Sequence, residues 1–148
     1  FAGVVLASAG LERLELSQEI TAHFSVQEIV PAAGQGIITI ETLAGRTDVH
    51  AAAALITHEP TAIVARCERA LLHRFDQRMD CYTSIAAHAV LSDDALSLSV
   101  FLSDPAGVRA IRARSAGRIS GMDELVDQLA GKLFAEGALE LIGSSATA

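Results

Sequence analysis

Tryptophan is absent from this 148-residue chain, tyrosine occurs once and phenylalanine five times. Ala, Leu, Val and Ile must therefore fill the interior, with few rings to help. Cysteine is scarce too. Two residues, Cys67 and Cys81, cannot make a disulfide scaffold, and they point to a reducing, cytoplasmic setting. Basic charge is in deficit, with 11 Lys and Arg against 18 Asp and Glu and a net charge of −7. That argues against a nucleic-acid partner, which needs a basic stripe to neutralise phosphates. No apolar run has the length of a membrane span, and the most apolar stretch, VVLASAGL, is interrupted by Ser8 and Gly10. No basic segment followed by an apolar one opens the chain, so no secretory leader is read.

What is present can build a core: 51% of the residues are apolar and 20% are charged. The sequence opens on FAGVVLAS, an apolar run that reads as a strand buried on both faces. Such a strand needs neighbours and covering helices, so the chain is expected to be a piece of something longer. AGLERLEL reads as a short helix, TAHFSVQEIVPAAGQG as an irregular connection and IITIETL as a strand. GRTDVHAAAALITHEP is expected to be a helix capped by Thr47 or Asp48 and closed by Pro60.

A longer helix is expected over 61–75, with Ile63, Cys67, Ala70 and Leu71 on one face. SIAAHAVL, ALSLSVFLS and GVRAIRARS then read as three strands of an antiparallel meander, joined by SDD and SDPAG turns. Leu96, Leu98, Val100 and Leu102 alternate with Ser97, Ser99 and Phe101, so one face is covered. The cover is a last helix, entered through an S-x-x-D pattern at Ser120 and Asp123, striped by Leu125, Val126, Leu129 and Leu133, and ended by Gly137. The fold class is thus α+β/α/β. Residues 60–148 form a C-terminal unit, a three-stranded antiparallel sheet with helices on one face, and residues 1–58 precede it as a partial α/β segment of a larger domain.

Cys67, on the apolar face of its helix, reads as a plain buried thiol. Cys81 sits in a loop after Arg78, Met79 and Asp80, and several readings stay open for it: a loop cysteine of no special role, half of a disulfide with Cys67, or a reactive thiol. His23, His50, His58, His73 and His88 show no metal-ligand spacing and read as surface or capping residues, so no metal is expected. Gly34-Gln35-Gly36 lacks the pattern of a phosphate loop and suggests a tight passage. The start of AGLERL, after Ala7 and Ser8 and around Gly10, offers backbone N–H groups to an anion, with Arg13 one turn further on.

LASAGLERL, VPAAGQGIITIE, HEPTAIVARCERALLHRF and the Cys81 loop, in that order, resemble the C-terminal half of the hydroxymethylbilane synthase (porphobilinogen deaminase) family. The resemblance runs collinearly along nearly the whole chain. It implies a transferase of tetrapyrrole (haem) biosynthesis that joins four porphobilinogen units with loss of ammonia and releases hydroxymethylbilane. It also implies a dipyrromethane cofactor in thioether linkage to one loop cysteine, and Cys81 falls at that position. A soft sulfur nucleophile suits capture of an electrophilic methylene-pyrrole. Arg13 resembles an arginine that holds pyrrole carboxylates, Ala7, Ser8 and Gly10 would form the helix-start seat, and Gln35 would line the same cleft. The family's catalytic aspartate belongs to the N-terminal half, so no catalytic residue is expected here, that half is the expected partner, and the 148 residues alone should be inactive. The flanks depart from the family: Met79-Asp80 replace two glycines, and Tyr82-Thr83-Ser84-Ile85-Ala86 replace a Gln-Val-Pro-Ile-Gly run. A non-catalytic α+β interaction module with an unmodified Cys81 is the rival reading.

Overall fold

The computed structural model describes residues 2–75 and 84–143. Helices α1 (Ser8–Arg13), α2 (Thr47–Leu55) and α3 (Glu59–His73) precede strands β1 (Ser84–Ser92), β2 (Ala95–Ser103) and β3 (Ala110–Arg118), and helices α4 (Met122–Ala135) and α5 (Ala138–Gly143) follow. The strands pair antiparallel in the order β1-β2-β3, with Ala87 opposite Val100 and Val100 opposite Ala113. The β1–β2 turn is Asp93-Asp94, and Asp93 adopts φ 54°, a conformation that aspartate tolerates in tight hairpins.

Period-two alternation sends Ala87, Ala89, Leu96, Leu98, Val100, Leu102 and Ile111 to one face, and all are buried. That face is covered by α3, which packs on β1, and by α4, which packs on β3 and on α3. Cys67, Leu71 and Phe75 descend into the core one turn apart, as do Leu125, Leu129 and Leu133 from α4. The Phe75 and Phe134 rings meet at 4.9 Å. With so few rings available, aliphatic side chains do the rest, as the composition requires.

Residues 2–58 behave differently. None of them is buried, and Ile38 is 95% and Leu55 87% exposed. FAGVVLAS and IITIETL, expected as strands, have no ladder among the described residues. The reason is physical: an apolar strand exists by virtue of its neighbours, and among the described residues none lies alongside.

Other boundaries move for local reasons. The third strand begins at Ala110, three residues after the expected start. Asp104 takes the N–H groups of Val108 and Arg109 on its carboxylate and that of Gly107 on its carbonyl, which folds 104–109 into a turn. Neither Thr47 nor Asp48 caps α2. Arg46 stands at the cap and pairs with Asp48 at 2.8 Å, so Asp48 supports the first turn by charge. Ser120 does not cap α4 either. A 3-10 turn over Ile119–Gly121 leads into the helix and puts Gly121 at the cap. Pro60 opens α3, where its missing N–H costs nothing, and does not close α2.

Candidate functional site

A cleft of about 650 Å³ lies between residues 2–8 and the connection 19–35. Its wall mixes apolar groups such as Ile20, Phe24 and Ile29 with the polar Ser8, His23, Gln35 and His88. No Lys or Arg is among the described residues that line it, and Glu19 is its one carboxylate. The size suits a small organic ligand. A second cleft of about 450 Å³ runs along Pro60, Val64, Glu68 and the β1 edge, and Gln35 and His88 belong to both.

The structure brings two of the expected residues together in this wall. Ser8 stands at the first position of α1, with its Oγ 3.2 Å from His23 Nδ1. Gln35 rides on a turn formed by Gly34 (φ 75°) and Gly36 (φ 80°), and its Oε1 accepts from the Ala32 N–H. Two left-handed positions in three residues explain why glycine flanks Gln35. Ala7, Gly10 and Arg13 are not part of the wall; Ala7 caps α1, and Arg13 is exposed in its last turn. The N–H groups of Gly10 and Leu11 both turn back to the Ala7 carbonyl. Cys81 lies outside the described residues.

Residue-by-residue reading missed the group that organises this region. Glu68 is 3% exposed, and both its carboxylate oxygens are engaged. Oε2 accepts the Gly34 N–H at 2.7 Å, and Oε1 accepts the Ala89 N–H at 2.8 Å on the edge of β1 that faces away from β2. His88 Nδ1 stands 3.6 Å from the same Oε1. One side chain on α3 therefore fixes both the glycine turn that carries Gln35 and the strand that carries His88. A buried carboxylate is tolerated when N–H donors replace its water. His23 and His88 were missed as well. The parity of β1 held a signal for His88, since Ala87 and Ala89 point to the core and His88 must face the other way. His23 meets Ser8 only through the fold.

The remaining thiol is inert. Cys67 is free and fully buried, and burial, then the neighbouring Glu68 charge, push its pKa from about 9 up to about 11. The folded pKa is raised, so this thiol's contribution to stability is present below about pH 9 and is lost as pH rises through about 11. At pH 8 an alkylating reagent should label unfolded protein at two sites. In the native state Cys67 should stay unlabelled, read by peptide mass mapping; rapid native labelling of Cys67 would contradict its burial.

Residues 1–51 match the family model described as porphobilinogen deaminase, dipyromethane cofactor binding domain. The porphobilinogen deaminase of Paraburkholderia phymatum is 35% identical over 151 residues, covering 100% of this chain and 46% of the relative. Those of Geobacter metallireducens and Thiobacillus denitrificans are 35% and 38% identical, covering 94% and 93% of this chain and 43% and 44% of the relatives. The chain belongs to the porphobilinogen deaminase family. It spans a little under half the length of these curated relatives. Among the described residues no helix is long and apolar enough to cross a membrane.

Proposed function

We propose that this chain is the C-terminal portion of a porphobilinogen deaminase that, with the remaining portion, joins four porphobilinogen units with release of ammonia and yields hydroxymethylbilane. The observation that carries the reading is the match to porphobilinogen deaminases over 93 to 100% of the chain. The exposed apolar surface of residues 2–58 supports it, because those residues look for a sheet that another portion would supply. In this reading 1–58 belongs to the two larger α/β domains and 60–148 is a unit of its own.

The residues present suit a dipyrromethane as one side of its site. Its pyrrole faces need apolar walls, which Ile20, Phe24 and Ile29 offer, and its carboxylates need donors, which Ser8, His23, His88 and Gln35 offer. Cationic partners would come from the other portion, with Arg13, exposed in the last turn of α1, as a candidate from this chain. When bound, the dipyrromethane supplies the primer on which the chain of pyrroles grows. Cys81 would hold it through a C–S bond, its sulfur adding to the exocyclic carbon of a methylene-pyrrole while the thiol proton passes to the pyrrole nitrogen. Glu68 holds the Gln35 turn against β1 and keeps the wall in register.

The altered flanks of Cys81 favour the rival, a non-catalytic module with a bare thiol. Mixing the chain with the N-terminal half of the Geobacter metallireducens relative separates the two. Ammonia release from porphobilinogen by the mixture, and by neither component alone, is the expected result; none from a folded, assembled mixture sinks the proposal.

A further inference from the structure

The outer face of the sheet, away from α3 and α4, is crossed by residues 26–30. Ser25 and Glu28 close a helical turn there: Glu28 Oε2 accepts both the N–H (2.8 Å) and the hydroxyl (2.7 Å) of Ser25, and the Ile29 N–H goes to the Ser25 carbonyl. Such a turn presents its last carbonyls without intrahelical partners. Arg112, near the start of β3, meets them. Its two terminal nitrogens donate to the carbonyls of Gln27 (2.6 Å) and Glu28 (3.0 Å), and its guanidinium lies 4.8 Å from the centre of the Phe101 ring, the cross-strand neighbour. The Glu28 carboxylate is committed to Ser25, which also lowers its pKa, so Arg112 grips main chain rather than a side-chain charge.

The same segment faces two ways. Val26, Gln27 and Val30 border a gap of about 230 Å³ against Ser99, Arg112 and Arg114, whereas Ile29, Pro31 and Gln35 line the large cleft. The strap 25–36 is therefore pinned at two points, by Arg112 at its start and by Glu68 at Gly34. Between the pins it is a wall of the cleft, with room beneath the Arg112 end to move.

We propose that Arg112 is a positioning residue: by clamping the Gln27 and Glu28 carbonyls to the sheet it sets the wall of the ligand cleft, so that ligand affinity there depends on a side chain of β3 that does not touch the ligand. The clamp stands on geometry alone. Its link to ligand affinity rests on the proposed function above. Guanidinium geometry is required, because one planar fork reaches two successive carbonyls while stacking on Phe101, and an ammonium cannot do both.

The test compares the whole chain with its Arg112→Ala and Arg112→Lys variants. Hydrogen exchange is followed at peptides covering 25–36 and at β1–β3, and porphobilinogen binding is followed in the complex with the N-terminal half. In Arg112→Ala, exchange at 28, 29 and 35 should rise by roughly tenfold or more, as expected on losing charge-assisted hydrogen bonds, while the strands keep their protection. Arg112→Lys should restore little of it, and millimolar guanidinium ion added to the Ala variant should restore part. Weaker porphobilinogen binding should accompany the loosened strap. Unchanged exchange over 25–36, or an equal rise in the strands, would overturn the clamp. A loosened strap with unchanged porphobilinogen affinity would overturn its role in the cleft and leave the proposed function standing. A loosened strap with no porphobilinogen bound by any form, the unsubstituted complex included, would overturn that role together with the proposed function.

Discussion

Replacing Glu68 by Ala should destabilise the protein by about 2–5 kcal/mol, a large share of the roughly 5–15 kcal/mol that holds a domain folded. The side chain is buried and serves two backbone donors on separate elements, Gly34 and Ala89. Alanine removes both acceptors at once, and each buried N–H left unpaired costs about 1–3 kcal/mol. Glutamine is the sharper probe. It matches the shape but offers one acceptor oxygen and turns an N–H₂ group toward the other donor, so one of the two bonds must fail. Glu68→Gln should fall between Ala and the unsubstituted chain, and Glu68→Asp, short by one methylene, cannot span the two donors. Urea unfolding followed by circular dichroism checks the order. If Ala, Gln and Asp all unfold with the unsubstituted chain, the bridge contributes nothing.

Replacing Cys81 by Ser should remove turnover of porphobilinogen altogether in the mixture with the N-terminal half. An alkoxyl oxygen is a poorer nucleophile at neutral pH than a thiol with an appreciable thiolate fraction, and the tether would not form. The matching change at the other cysteine separates chemistry from folding. Cys67→Ser buries a hydroxyl in an apolar core and should lower stability while leaving the tether in place. Activity in Cys81→Ser equal to that of the unsubstituted chain would remove Cys81 from the mechanism.

The C-terminal unit was legible because its patterns are local. Leu96, Leu98, Val100 and Leu102 announce β2 by alternation, and Leu125, Leu129 and Leu133 announce α4 by helical spacing. The failures there were punctuation: Asp104 consumed three residues expected in β3, and a 3-10 turn displaced Ser120 from its cap. Residues 1–58 misled for a different reason. Their apolar runs do read as strands, but a strand is a relation between segments, and no partner stands beside FAGVVLAS or IITIETL among the described residues. In the cleft, Ser8 and Gln35 were readable as a helix start and a glycine-flanked turn. Glu68 and Arg112 were not, since their partners lie 34 and 85 residues away along the chain. Contacts of that kind leave no periodicity behind.

Cys81 is expected to carry a dipyrromethane, and the intact mass of the chain decides whether it does. After incubation with the N-terminal half and porphobilinogen, then denaturation and separation, the chain should be heavier by one dipyrromethane, with the added mass on the peptide that contains Cys81. A chain at its bare sequence mass after productive assembly, or an adduct on any other peptide, would contradict it.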